Sequence, residues 1–529
     1  MSLNHIAYVA TPAQIELTRT SLARLNAAPL EDRATVGLGY RLKHPLIGDL
    51  TLQVHLLPDL DAITPHLRQN PVDLLIYDER GEGGIEATDA VRKIRDDVAA
   101  FAELWGPDFL FPMSRVVAIL ASGENQAMRT FELGRGQVRN VCISPKNTST
   151  VLKWIHTILT QGIIRDQKAG MALSGGGIEG FLFQVGTIYA MERALTGRSL
   201  RSLNVFSGVS SGSIGAALLA GKVPTLEVIK ALHRQSKTLP PMTSGTLFDL
   251  AGKDIAKRVI SESISWGGID PQKWINKTLR SIPTGFFKGE ALKEYFKVAV
   301  ESFGVQDAFG SLDCELYIGA TDQDSFEHVV FGRQPWANVP ISEALRASCA
   351  LPPFFVPSII NGRWFIDGQV TRTCNLELVV ERGCRLVFII DPLRPLATLI
   401  PGSVDKQGGV YAMIQAVKAL VYTRFQATLT HLTERYPDVD FIVFQPDDEC
   451  AELMAGSPMR YRIRTQLIGM AYRHTLRQLR ERHHIYSAKM SKYGFELQSV
   501  EKLNAVEVED VSIFNSLADG RDPTDESDD

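Results

Sequence analysis

Along the first 160 positions, short apolar runs alternate with stretches of helical spacing. The runs His5–Ala10, Leu50–Leu57, Val72–Asp78, Arg115–Ala121 and Asn140–Ser144 predict strands. Between and after them, Pro12–Leu25, Leu60–Arg68, Glu86–Leu104, Glu124–Leu133 and Thr148–Leu159 predict helices. Five βα units of this length imply a parallel sheet covered by helices on both faces. After the polar stretch Gln161–Lys168 the pattern resumes, with strands over Lys168–Ser174 and Leu203–Phe206 and helices over Phe181–Ala194 and Ser213–Ala220. The pair Asn361-Gly362 between two apolar runs marks a hairpin. Ile414, Val417, Leu420, Val421, Phe425, Leu429 and Leu432 keep helical spacing and predict a core-facing helix. Met459–Tyr493 has an apolar side (Ile463, Leu467, Met470, Leu479) and many cations, from Arg460 to Lys492, against Glu481. Such a basic amphipathic helix suits an anionic membrane surface, or a solvated face paired with acids elsewhere.

Composition narrows the class. A chain of 529 residues holds two or three domains, and 45% hydrophobic with 22% charged residues is globular usage. The net charge of −4 argues against binding polyanions through bulk charge, and no nucleic-acid partner is expected. No apolar run is long enough to span a bilayer, and the first residues lack the basic and apolar regions of a signal peptide. Cys142, Cys314, Cys349, Cys374, Cys384 and Cys450 are scattered, without a C-x-x-C pair, which reads as a reduced, cytoplasmic protein. Residues 519–529 are acidic and read as a disordered tail.

Three stretches carry candidate chemistry. Gly208-Val209-Ser210-Ser211-Gly212 lies between a strand and a helix, where G-x-S-x-G lifts a serine hydroxyl out of a tight turn. Gly175-Gly176-Gly177 also lies between strand and helix. Unshielded N–H groups at a helix start favour an anion, and neither a phosphate loop nor a dinucleotide fingerprint follows. An oxyanion hole is the better reading, with a packing turn as the alternative. The hairpin's second strand delivers Asp367 to a loop, and a carboxylate in a poorly solvated pocket can deprotonate a serine.

Together these motifs resemble the patatin-like phospholipase family, over roughly Lys168–Pro395, including the approach Ala344–Pro352. The resemblance implies a three-layer α/β/α fold with Ser210 as nucleophile, Asp367 as general base and Gly175, Gly176 and Gly177 as oxyanion hole. It implies a lipid acyl hydrolase of phospholipase A type that needs no cofactor or metal and acts on a lipid or other ester. An acyltransferase using the same dyad and a non-catalytic scaffold are the alternatives. Two positions depart from the family pattern. Glu179 stands where Arg or Lys is usual, which would place a negative charge at the mouth and disfavour anionic phospholipid. Gln369 follows Asp367-Gly368 where Gly or Ala is usual.

The first 160 residues resemble a response-regulator receiver, with Asp78 at the phospho-acceptor place, Ser122 after the fourth strand and Lys146 after the fifth. Receivers hold Mg²⁺ with acids after the first strand. Here Val9-Ala10-Thr11-Pro12 offers none, so the expectation is a regulatory or interaction domain without metal-dependent chemistry. The expected plan is a receiver-like (βα)5 domain at 1–160, a linker at 161–168 and the hydrolase domain at 169–395. A helical extension packed on the hydrolase domain at 396–518 and the tail at 519–529 complete it. Peripheral membrane contact and a homodimer through the N-terminal domain are compatible with this plan. Thr238–Thr246 is expected as a flap, and Phe286-Phe287 as a lipid-inserting or packed pair.

Overall fold

The computed structural model describes residues 3–30, 38–47, 50–81, 83–105, 109, 111–123, 125–138, 140–145, 148–162, 168–247, 249, 285–395, 402–455 and 460–519. Residues 163–167 of the expected linker, and residues 520–529 of the expected tail, lie outside this set. The chain forms two compact units. One comprises Met1–Gln167, Gln426–Ile442 and Arg482–Gly494; the other comprises Lys168–Phe425, Val443–Glu481 and Phe495–Asp529. The stretch 396–518, expected as a single extension of the hydrolase domain, therefore divides between the two units.

In the first unit the strands are β1 (Leu3–Ala10), β2 (Ala28–Pro29), β3 (Leu38–Leu42), β4 (Thr51–Leu57), β5 (Leu74–Asp78), β6 (Val116–Leu120) and β7 (Asn140–Ile143). The helices are α1 (Pro12–Arg24), α2 (Ile63–Gln69), α3 (Ala87–Trp105), α4 (Gln126–Arg135) and α5 (Thr148–Gly162). The sheet order is β2-β3-β4-β1-β5-β6-β7, with β4, β1, β5, β6 and β7 parallel and β3 and β2 antiparallel at one edge. The five parallel strands thus follow the doubly wound order 2-1-3-4-5. Every residue of β5 and β6 is buried, which is why they read as uninterrupted apolar runs. One face of the sheet packs on α2, α3 and α4 and the other on α1 and α5. β3 had no sequence signal because alternate residues of this near-edge strand face water.

Asp78 ends β5 and is fully buried. Its Oδ1 accepts from the Arg80 backbone N–H (3.1 Å) and Nε (2.8 Å), and its Oδ2 from Arg80 Nη2 (2.6 Å) and the Tyr8 hydroxyl (2.5 Å). These four bonds occupy the carboxylate's lone-pair directions. The bidentate contact with Asp78 raises the Arg80 guanidinium further above its ordinary value. Ser122 is hydrogen-bonded to Ser144 at 2.6 Å, and Lys146 lies outside the described residues. Ala10 ends β1, and Thr11 caps α1 by accepting from the Gln14 N–H. Among the described residues no group of three His, Cys, Asp or Glu is placed to hold a metal ion.

In the second unit the sheet order is β13-β14-β11-β10-β8-β15, with β12 paired to β11. The strands are β8 (Ala169–Leu173), β10 (Val205–Val209), β11 (Glu315–Asp322), β12 (His328–Phe331), β13 (Ser358–Ile360), β14 (Arg363–Asp367) and β15 (Leu386–Ile390), while β16 (Asp440–Phe444) is divided between the units after Ile442. β9 (Leu195–Gly197) and β17 (Phe495–Leu497) form a separate antiparallel pair. β15, β8, β10 and β11 run parallel, and β12 and β14 are antiparallel to β11. The Asn361-Gly362 turn closes the β13–β14 hairpin with both residues at positive φ, as a type I′ turn requires.

The helices used below are α6 (Gly177–Ala194), α7 (Ser211–Ala220), α8 (Ile341–Ser348), α9 (Gly409–Arg435) and α10 (Arg464–Glu481). α6 is buried on nearly every face. The apolar side of α10, including Leu467, Ile468, Ala471 and Leu476, is buried, and Gly186 of α6 lets Ile468 and Ala471 come close. Arg477 and Arg480, from the basic side, pair with Asp447 and Glu507. On α9, Val421, Phe425, Leu429 and Leu432 are buried, whereas Val417 and Leu420 are exposed. At 3.6 residues per turn Leu420 projects about 120° away from Leu432, outside the buried stripe. Among the described residues no helix is long and apolar enough to cross a membrane.

The closed Asp78 predicts that incubation with acetyl phosphate and Mg²⁺ leaves the intact mass unchanged. A gain of one phosphoryl mass that disappears in Asp78→Asn would mean that the Arg80 pair opens in solution.

Candidate active site

The turn from β10 into α7 sets Ser210 at φ 54° and ψ −134°, a conformation that costs a non-glycine residue about 1–3 kcal/mol. The flanking glycines make it sterically feasible. A Cβ on Gly208 would stand 2.4 Å from the Gly212 carbonyl oxygen, and one on Gly212 would stand 2.4 Å from that of Leu173. The turn is held from outside by Ser348 at the end of α8. Its hydroxyl accepts from the Ser210 N–H at 2.8 Å and donates to the Gly319 carbonyl at 2.6 Å. Ser213 donates to the Ser210 carbonyl at 2.5 Å.

Asp367, the last residue of β14, is fully buried. Its N–H donates to the Ala350 carbonyl at 3.0 Å, and its Oδ1 accepts from the Gln369 N–H at 2.8 Å. Burial pushes this carboxyl up to about 7, while the Ser210 hydroxyl and the Gln369 N–H act in the opposite sense. Oδ2 carries no fully formed hydrogen bond among the described residues. The Ser210 hydroxyl is the one side chain among the groups acting on this carboxyl.

The glycine loop lies against the same serine. A Cβ on Gly175 would stand 2.6 Å from Ser210 Cβ. Gly177 opens α6 at φ 64°, and the first N–H groups of a helix have no intrahelical acceptor. Ser174 anchors the loop, donating to Asp391 Oδ1 (2.5 Å) while its carbonyl accepts from Gln184 Nε2 (2.5 Å). Asp391 is itself held by Gln445 Nε2 at 2.9 Å. An apolar pocket opens beside Ser210, lined by Ile178, Phe181, Ile214, Met242, Leu292 and Phe355 among others.

The structure therefore brings Ser210, Asp367 and the loop Gly175–Gly177 to one place. Asp78 and Ser122 belong to the first unit. His328 is hydrogen-bonded to Thr371 at 2.8 Å, and burial lowers its imidazole to about 4. His233 is engaged by the Ile229 carbonyl and by Thr465, each at 2.8 Å.

One expectation is corrected. Glu179 is not a charge at the mouth; it is 1% exposed and paired with Arg460 at 2.6 Å, with Lys418 contributing further positive potential. Its position in the first turn of α6 favours a carboxylate, and its partner cation comes from far along the chain. Thr238–Thr246, expected as a flap, buries Leu239 and Met242, and Met242 lines the apolar pocket. Sequence reading also missed Arg424 on α9. It donates to the carbonyls of Gln369 (2.5 Å) and Val370 (3.1 Å) and to the Thr373 hydroxyl (3.2 Å), fixing the turn after Asp367. A lone arginine on an amphipathic helix gave no signal for this role.

Residues 171–380 match the family model described as Patatin-like phospholipase. This chain carries a patatin-like phospholipase domain. VipD from Legionella pneumophila is a similar solved structure, with 16% identity, 68% of this chain and 79% of that one covered, and a TM-score of 0.29. ExoU, solved with SpcU from the type III secretion system of Pseudomonas aeruginosa, shares 16% identity over 65% of this chain and 77% of its own, with a TM-score of 0.24. The patatin-like domain ends, on this match, before the segments that supply Arg424, Gln445 and Arg460.

Ser348→Ala should leave the Ser210 N–H and the Gly319 carbonyl buried without partners, at a cost of about 1–3 kcal/mol. A lowered melting temperature together with reduced turnover is the expected outcome. Arg424→Met should reduce turnover with little change in the melting temperature, measured on the same preparations.

Proposed function

We propose that this protein is a serine acyl hydrolase that cleaves carboxylic esters of lipids through Ser210 and Asp367. The observation that carries this reading is a fully buried carboxyl with a pKa near neutrality, set beside a strained serine and a glycine loop. In this reading the Ser210 hydroxyl attacks the ester carbonyl and its proton passes to Asp367. The loop amides at the start of α6 stabilise the oxyanion. Asp367 returns the proton to the leaving alcohol, and then activates a water that releases the acid from the acyl-enzyme.

The apolar pocket suits an acyl chain rather than a polar acyl donor. Phe286 is exposed and neighbours Phe287, whose ring packs 5.5 Å from that of the pocket residue Phe355. This supports an apolar rim and peripheral contact with a lipid surface, on the cytoplasmic side in keeping with six free thiols. For the N-terminal unit, the strand order and a carboxylate ending β5 support a receiver-like origin. With Asp78 closed by Arg80 and Tyr8, such a unit would act by contact rather than by phosphorylation.

A panel of phospholipids and neutral esters tests the reading. Ser210→Ala should lower kcat by at least ~10⁴-fold and Asp367→Asn by a comparable factor, both with unchanged circular dichroism. Near-normal turnover in Asp367→Asn would sink the dyad. Asp367 must be ionised to accept the proton, so kcat/KM should rise with pH through about 7 and then level. A profile flat from pH 5 to 9 would contradict this assignment.

A further inference from the structure

The residue after the Asp-Gly pair carries a side chain that faces the site. Gln369 is 9% exposed, and its amide lies directly against the glycine loop. The point where a side chain on Gly175 would begin is 2.4 Å from Gln369 Oε1, 2.5 Å from its Cδ and 2.6 Å from Ser210 Cβ. Real Cβ atoms do not tolerate such distances, so a side chain at Gly175 would displace the Gln369 amide and press on Ser210 Cβ. The Gln369 backbone is pinned at both ends, its N–H on Asp367 Oδ1 and its carbonyl on Arg424. Yet Nε2 is a buried donor without a partner among the described residues. A buried donor without a partner is destabilising, and the amide group that carries this one has its Cδ and Oε1 packed into the space between the glycine loop and Ser210 Cβ.

We infer that Gln369 Nε2 donates a hydrogen bond to the carbonyl oxygen of the bound ester, as a side-chain member of the oxyanion hole. This inference rests on the serine-hydrolase reading. As Ser210 Oγ bonds to the carbonyl carbon and its proton moves to Asp367, the carbonyl π pair becomes the oxyanion. The Gln369 amide then meets that charge together with the loop N–H groups. A donor fixed before the reaction requires no reorganisation, so its effect falls on the transition state. A glycine or alanine after Asp-Gly cannot supply it. Gln369 is thus a catalytic residue particular to this arrangement.

Gln369→Met fills the same space without a donor, and Gln369→Glu keeps the shape but presents an acceptor. Each should lower kcat about 100-fold, with KM within about threefold. The rate at which a fluorophosphonate probe labels Ser210 should fall in parallel, because the phosphoryl oxygen of the adduct occupies the same hole. If either folded variant keeps both kcat and labelling rate within threefold of wild type, the inference fails, while wild-type hydrolysis leaves the dyad standing. A raised KM at unchanged kcat and labelling rate also overturns it, and assigns Gln369 to ground-state binding. Wild type that labels at Ser210 but hydrolyses no ester would instead count against the proposed function. The labelling rates of the two variants would then decide on Gln369 by themselves.

Discussion

The site depends on keeping one carboxyl out of water beside one hydroxyl. Asp367 is fully buried, and the groups acting on it are the Ser210 hydroxyl and the Gln369 N–H, with no cation among them. A rise from 3.8 to about 7 is on the order of 4 kcal/mol of preference for the protonated form. Between those values stability falls as pH rises, since the folded chain holds a proton the unfolded chain releases. The surrounding backbone sustains that cost. Asp367 N–H is bound by Ala350, the Ser210 N–H by Ser348, and both partners lie in one short stretch after α8 begins. That stretch sets the spacing of the two side chains, and Cys349 within it lines the apolar pocket.

A second layer comes from beyond the matched domain. Arg424 fixes the carbonyls after Asp367, Gln445 holds the Asp391 carboxylate that anchors Ser174, and Arg460 neutralises Glu179 in the first turn of α6. Each acts on the backbone or field of the site rather than on a reacting atom. Burial raises the Glu179 carboxyl and Arg460 acts in the opposite sense, so this pair sets the field at the start of α6. Segments that follow β15, one helical and two in loops, therefore hold the candidate site in place. Truncation at the end of the matched region would remove its electrostatic balance while leaving its motifs intact.

What was legible in the sequence follows from what local chemistry can encode. The five βα units, the elbow around Ser210, the glycine loop and the Asn361-Gly362 turn are set by residues adjacent in the chain. They appeared within a few residues of their observed places. The sheet edge at β3 was not legible, because an alternating strand of five residues resembles a loop. Glu179 was read by its charge alone, and its partner lies far along the chain. Arg80 was overlooked for the opposite reason: it stands two residues from Asp78, but nothing local distinguishes an arginine that folds back on a carboxylate from one that faces water. Long-range pairing and side-chain direction are tertiary properties, and they decided the roles of Glu179, Arg80 and Arg424 alike.

Two carboxylates show how much those roles turn on partners. Asp78 and Asp367 each end a strand, and each is fully buried. Around Asp78 a guanidinium and a phenol fill every acceptor direction, so the charge is held, compensated and closed to chemistry. Removing the Arg80 partner would leave an uncompensated buried charge, the situation that makes such pairs costly to break. Around Asp367 one oxygen is satisfied and the other is left open beside a hydroxyl. Burial is common to both, and it is the missing cation at Asp367 that turns desolvation into basicity near neutral pH. Under the proposed function, an incompletely satisfied carboxylate, rather than a buried one, separates the general base from a structural strand end.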